Sequence, residues 1–272
     1  MAEMQAYLDG AGVGLRTFVG IYPVTAAELA QVEHSRPLYY ASLANLPPRL
    51  ARHDEEIARA YARMEAMQAG ADLGTVFYFV THQTAGGTAR QPGSLIAVEW
   101  FNRTSDTDLS EFAASRPPLT LDEFVQIVVH EGAHNLQRII QTEPNFISIY
   151  VNPERMTLRN FAIREGAADY VAHIAADRLF APRHTFGDPR EREIWAEFQP
   201  LMNETIFAQP GWFQGRFADG RDWPIQMGYY VGYKMTEHVH SRDGEAGLRQ
   251  VLSAHTDEHF AAVAARYAEK FA

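Results

Sequence analysis

The pattern of apolar and polar positions divides the chain into a helical start, a short strand-rich stretch and a long helical remainder. From Thr25 to about Gln68 the sequence reads as helix broken at Pro37 and at Pro47-Pro48, with Arg49 to Met67 rich in Ala, Glu and Arg. Gly74–Thr81 (GTVFYFVT) and Ser94–Phe101 (SLIAVEWF) are β-branched and aromatic, and the Gly- and Thr-rich TAGGTARQPG lies between them. They predict paired strands of a small antiparallel sheet.

After a polar loop from Asn102 to Pro118, Thr120 and Glu123 stand at capping-box spacing and open a helix through LDEFVQIVVHEGAHNLQRII. A connection containing Pro144 and Pro153 leads to a second helix from about Leu158 to Leu179. Further helices are expected near Arg190–Phe207, Pro224–His240, Glu245–Ala254 and Glu258–Phe271, with an aromatic, Gly-rich loop at QPGWFQGRF. The expected class is α+β, mainly helical. The 272 residues read as one unit with sub-lobes at 1–73, 74–141 and 142–272.

Charge and composition narrow the chemistry. The net charge is -10 and no cluster of Lys and Arg stands out, which argues against a nucleic-acid partner, since such binding draws on clustered cations. No run approaches the ~18 apolar residues of a spanning helix, and the start lacks a basic segment followed by an apolar core, so no membrane partner and a cytoplasmic location are the default expectations. The chain has no cysteine. Disulfides, thiolate metal sites and thiol nucleophiles are therefore excluded, and any metal must sit on histidines and carboxylates.

Those residue types converge at His130-Glu131-Gly132-Ala133-His134. On a helix, positions i and i+4 share a face, so two imidazoles meet one cation while the intervening glutamate projects beside them as a general base for metal-activated water. A catalytic zinc needs three protein ligands and one open position. Glu165, on the next predicted helix, supplies the third; Asp169, one turn further, is placed to accept the ring N–H of a ligating histidine and fix its tautomer. The competing reading of Asp169 is a surface charge paired to Arg164 or Arg178. His34, His53, His82, His184, His255 and His259 show no converging spacing, and His173 reads as structural.

HEGAH followed by REGAADYVA resembles the gluzincin superfamily of zinc metallopeptidases, which includes thermolysin and a group of aminopeptidases. RDWPIQMGYYVGYKM, with Gly-Tyr pairs at Gly228-Tyr229 and Gly232-Tyr233, is similar more narrowly to a bacterial family of predicted zinc-dependent proteases. The resemblance spans roughly Phe77 to Met235. It implies a zincin-like fold with an antiparallel-edged sheet over the motif helix, one zinc per chain on His130, His134 and Glu165, and Glu131 as base. The sheet edge along the cleft would come from Phe77–Val80 and Leu95–Trp100. An oxyanion donor is expected downstream: Tyr229 is preferred, with Tyr230, Tyr233, His238 and His240 as alternatives and a core aromatic role as the competing reading of the tyrosines. The spacer before Glu165 is longer than in thermolysin or the aminopeptidases, and the aminopeptidase Gly-x-Met-x-Asn string is absent, so no amino-terminal specificity is implied.

The expected function is a zinc-dependent hydrolase acting on a peptide or small amide-type substrate, with Trp212 and Phe213 as candidate pocket walls. The alternatives are a metal-dependent enzyme of a small metabolite using the same ligands, and a binding protein without turnover. Oligomeric state is left open.

Overall fold

A computed structural model describes residues 1–68, 70–113, 117–142, 156–213 and 215–272. The expected connection through Pro144 and Pro153 lies outside these residues, as do Gln214 of the aromatic loop and 114–116 of the loop before the first motif helix. The helices, numbered along the described chain, are α1 (Ala2–Asp9), α2 (Val13–Ile21), α3 (Ala26–Ser35), α4 (Pro37–Ser42), α5 (Pro47–Leu50), α6 (Asp54–Met67), α7 (Leu121–His134), α8 (Arg138–Thr142), α9 (Leu158–Ala176), α10 (Ala181–Gly187), α11 (Glu191–Phe198), α12 (Met227–Leu252) and α13 (Asp257–Ala268). With the strands β1 (Thr75–Phe79), β2 (Gly87–Arg90) and β3 (Gly93–Ala97) they make a mainly helical α+β chain. Among the described residues no helix is long and apolar enough to cross a membrane.

The sheet corrects the sequence reading. The two apolar segments do pair, but in parallel, Phe77 opposite Leu95 and Phe79 opposite Ala97. The antiparallel partner of β3 is β2, drawn from the stretch expected to be a loop. The order is β1-β3-β2. Every residue of β3 is buried, which is the mark of a central strand covered on both faces and paired on both edges. Gly87-Thr88-Ala89-Arg90 carries little β preference of its own and becomes a strand because β3 presents it with a ladder. Val98–Trp100, expected as strand, turns into a 3-10 helix.

Three groups of buried side chains surround this sheet. Leu15 and Phe18 of α2 pack on Phe79, Leu95 and Ala97 on one face. On the other, Ile96 meets α6 and α7 through Ile57, Met64, Phe124, Val128 and Val129. The third lies beyond α9, where Phe161, Trp195, Phe198, Trp212, Tyr230 and Phe260 pack together. Helix α9 belongs to two of these cores and is buried along nearly its whole length.

α9 and α12 cross in backbone contact. A Cβ on Gly166 would strike the backbone of Gly232 and Tyr233, and one on Gly232 would fall within the Ala162 carbonyl. The glycines of the EGAAD and Gly-Tyr segments therefore permit this approach, while Gly228 makes room for the Phe213 ring. α12 spans the two helices expected at Pro224–His240 and Glu245–Ala254, with non-helical geometry at Gly244 between them.

Candidate metal centre

α7 begins with the expected capping box: Glu123 N–H donates to Thr120 Oγ1, and Thr120 N–H donates to Glu123 Oε2. Val125, Val128, Val129 and Ala133 anchor the helix in the core, and its cleft side presents His130, Glu131 and His134. The helix does not continue to Ile140 as expected. It ends at His134, and the Asn135–Gln137 turn brings Gln137 back against the last histidine. From α9, capped by Thr157, come Arg164, Glu165 and Asp169.

The three candidate ligands meet. His130 Nε2 and His134 Nε2 are 3.1 Å apart, and Glu165 Oε2 lies 3.5 and 3.4 Å from them. Three ligand atoms arranged tetrahedrally at zinc–nitrogen and zinc–oxygen bond lengths stand about 3.3 Å from one another. All three residues are buried, and among the described residues they are the one cluster of histidines and carboxylates close enough to share an ion.

The hydrogen bonds behind the ligands fix what those atoms present. His130 Nδ1 lies 2.8 Å from Asp169 Oδ1, and Arg183 Nη1 donates to Asp169 Oδ2 at 2.9 Å. The Arg183 charge and the His130 hydrogen bond overcome the effect of burial and keep Asp169 below the usual carboxylate range. An ionised carboxylate only accepts, so His130 carries its proton on Nδ1. Gln137 Nε2 donates to the Arg164 carbonyl at 2.6 Å, which leaves Gln137 Oε1 to accept from His134 Nδ1 at 2.9 Å. In their neutral form both rings therefore turn bare Nε2 atoms toward one point, the form in which they can ligate a cation.

Two nitrogen lone pairs and a carboxylate oxygen at these separations repel unless positive charge lies between them. Without a metal that charge is a proton. Burial opposes the His130 cation, but the hydrogen bonds to Asp169 and Glu165 push the ring up to about 10. Burial would likewise raise Glu165, yet the imidazolium charge it faces and the Arg164 guanidinium hold it well below the carboxylate range. A divalent cation would take the place of that proton on the same donors, and the residues fit one.

Glu131 differs from the other carboxylates here. It is half-buried in the cleft, accepts no hydrogen bond among the described residues, and burial raises its carboxyl against the pull of the two histidines. Gly87 of β2 lies against it, and a Cβ there would come within 3.0 Å of Glu131 Cγ. The cleft, about 550 Å³, is within the range of sites for small ligands. One wall is Gly86 with Gly87–Ala89 of edge strand β2, in place of the Phe77–Val80 and Leu95–Trp100 segments expected to form it; of these, only Trp100 reaches the cleft.

Of the five oxyanion candidates, only Tyr229 lines the cleft, its ring stacked 6.0 Å from that of His130. Tyr230 donates to Asp188, Tyr233 bonds His173 at 2.6 Å, His240 bonds Tyr170 at 2.8 Å, and His238 packs on Tyr267. Asp169 pairs with Arg183, whereas Arg164 binds Glu165 and Arg178 binds Glu56. Trp212 and Phe213 are buried core residues that do not line the cleft: Phe213 fills the space that Gly228 opens, and Trp212 packs edge-on against Phe198 and Phe217.

Sequence reasoning missed three members of this arrangement. Gln137, three residues after the second histidine, carried a local signal in its spacing. Arg164, beside Glu165, carried another. Arg183 carried none, since only the fold brings α10 against Asp169. Compared with family models, curated proteins and solved structures, the chain matches none. The gluzincin resemblance accordingly rests on the motif residues.

Proposed function

We propose that this chain is a zinc-dependent hydrolase of gluzincin type on a zincin-like scaffold, cleaving peptide or amide bonds. His130, His134 and Glu165 hold the cation, Glu131 is the general base and Tyr229 the oxyanion donor. The observation that carries the reading is the triangle of Nε2, Nε2 and Oε2 atoms with sides of 3.1 to 3.5 Å, each ligand oriented by a hydrogen bond from behind.

Bound there, the cation supplies Lewis acidity, which acidifies water and polarises a carbonyl. The residues do the rest. Glu131, which accepts no hydrogen bond among the described residues and whose carboxyl burial raises, takes the proton of the attacking water and passes it to the leaving amine. Tyr229, on the cleft wall beside His130, donates to the oxygen that gains negative charge. Edge strand β2 offers main-chain groups to an extended substrate, which favours a peptide.

The test is hydrolysis of a mixed peptide library by the purified protein. Cleavage that stops on chelation and returns with zinc supports the reading; a library left intact by zinc-loaded protein contradicts it.

A further inference from the structure

The cleft contains a buried cation whose donors the proposed chemistry uses only in part. Arg183 lines it while remaining only 5% exposed. Its guanidinium lies 4.5 Å from the Phe180 ring centroid and 4.8 Å from that of Tyr229, contacts that fix its plane. A guanidinium carries five N–H donors in a rigid fork. A partner serving only to neutralise Asp169 would present two of them side by side. Here Nη1 alone binds Asp169, and the buried Nε has no partner among the described residues.

The charges around it are consistent with an anion. Glu165 is paired with Arg164, Asp169 with Arg183 and His130, and Glu123 at the rim with Arg103 at 3.5 Å. A divalent cation beside the remaining Glu131 leaves this cleft positive, in a chain of net charge -10.

From the fork and the charge together we infer that the cleft selects substrates bearing a carboxylate, and that the unused N–H groups of Arg183 bind it. The inference rests on the hydrolase reading, because it takes the cleft as the substrate site. A peptide's free C-terminus and an acidic side chain are the two sources of that group.

Three probes separate them: acetyl-Ala-Ala-Phe as the free acid, the same peptide as its amide, and acetyl-Ala-Asp-Phe amide. Affinities are measured by calorimetry with zinc present and after its removal, so that direct ligation of zinc by a carboxylate is identified. The wild type should bind the free acid or the Asp peptide at least about tenfold more tightly than the plain amide, and the tighter of the two names the source. Arg183→Lys, which keeps a charge beside Asp169 but loses the fork, should cut the preference to about twofold or less. Arg183→Gln, checked for folding by its unfolding transition, should do the same. Equal binding of all three probes by the wild type, absence of binding, or a preference that survives both substitutions overturns the inference. A carboxylate preference without metal uptake would sink the hydrolase reading alone, and metal-dependent turnover without the preference would sink this one alone.

Discussion

Arg164 and Glu165 are neighbours along α9 and partners in space: the guanidinium donates through Nε and Nη2 to Glu165 Oε1 at 3.1 and 3.0 Å, while Oε2 faces the two imidazoles at 3.5 and 3.4 Å. One oxygen is anchored and the other is left to ligate. Removing such an orienting partner costs about 10–100-fold in metal affinity. Arg164→Ala should weaken zinc binding by that amount in a chelator competition titration, and an unchanged affinity would show that Glu165 needs no anchor.

Zinc affinity should rise with pH. In the metal-free protein His130 holds its proton up to about 10, because the bonds to Asp169 and Glu165 outweigh burial. A cation must displace that proton, so apparent affinity climbs by up to about tenfold per pH unit below that value and levels off above it. The same proton stabilises the metal-free fold, since the folded value lies above the unfolded one. Its contribution is complete below about pH 6.5 and is lost as pH rises through about 10. Calorimetry in buffers of different ionisation enthalpy should count about one proton released per zinc near neutrality. A pH-independent affinity would contradict the assignment.

Glu131→Gln keeps the shape of the side chain and removes the base. Zinc content should be unchanged and turnover should fall at least about a hundredfold, the scale of a lost general base. Near-normal turnover would remove Glu131 from the mechanism.

The backbone contact between α9 and α12 makes Gly232 intolerant of a side chain. Gly232→Ala drives a methyl group into the Ala162 carbonyl, and overpacking of this kind costs about 1–3 kcal/mol. Urea unfolding should show that loss, together with weaker zinc binding as α9 shifts. Wild-type stability would mean that the helices separate without strain.

The parts legible in the sequence were those set by local spacing. His130 and His134 share a helix face by arithmetic, Thr120 and Glu123 signal the helix start within four residues, and Glu165 and Asp169 lie a turn apart on a second apolar helix. The parts that stayed hidden depend on partners distant in the chain. β2 is a strand because β3 offers it a backbone ladder on one edge, while β1 pairs in parallel with the other. The short helices α1, α2 and α10 carried too weak a pattern to stand out. Arg183 meets Asp169 only after α10 folds back. The Gly-Tyr segment was visible as a motif, but its purpose, close helix packing that sets Tyr229 beside His130, emerged from the crossing itself.

On the proposed reading, three side chains on two helices hold one metal ion. Elemental mass spectrometry of the purified protein, prepared without chelator or added metal and compared with Glu165→Ala, tests it most directly. Wild-type protein should carry about one zinc per chain and the variant none; no metal in either, or equal metal in both, would overturn the three-ligand site.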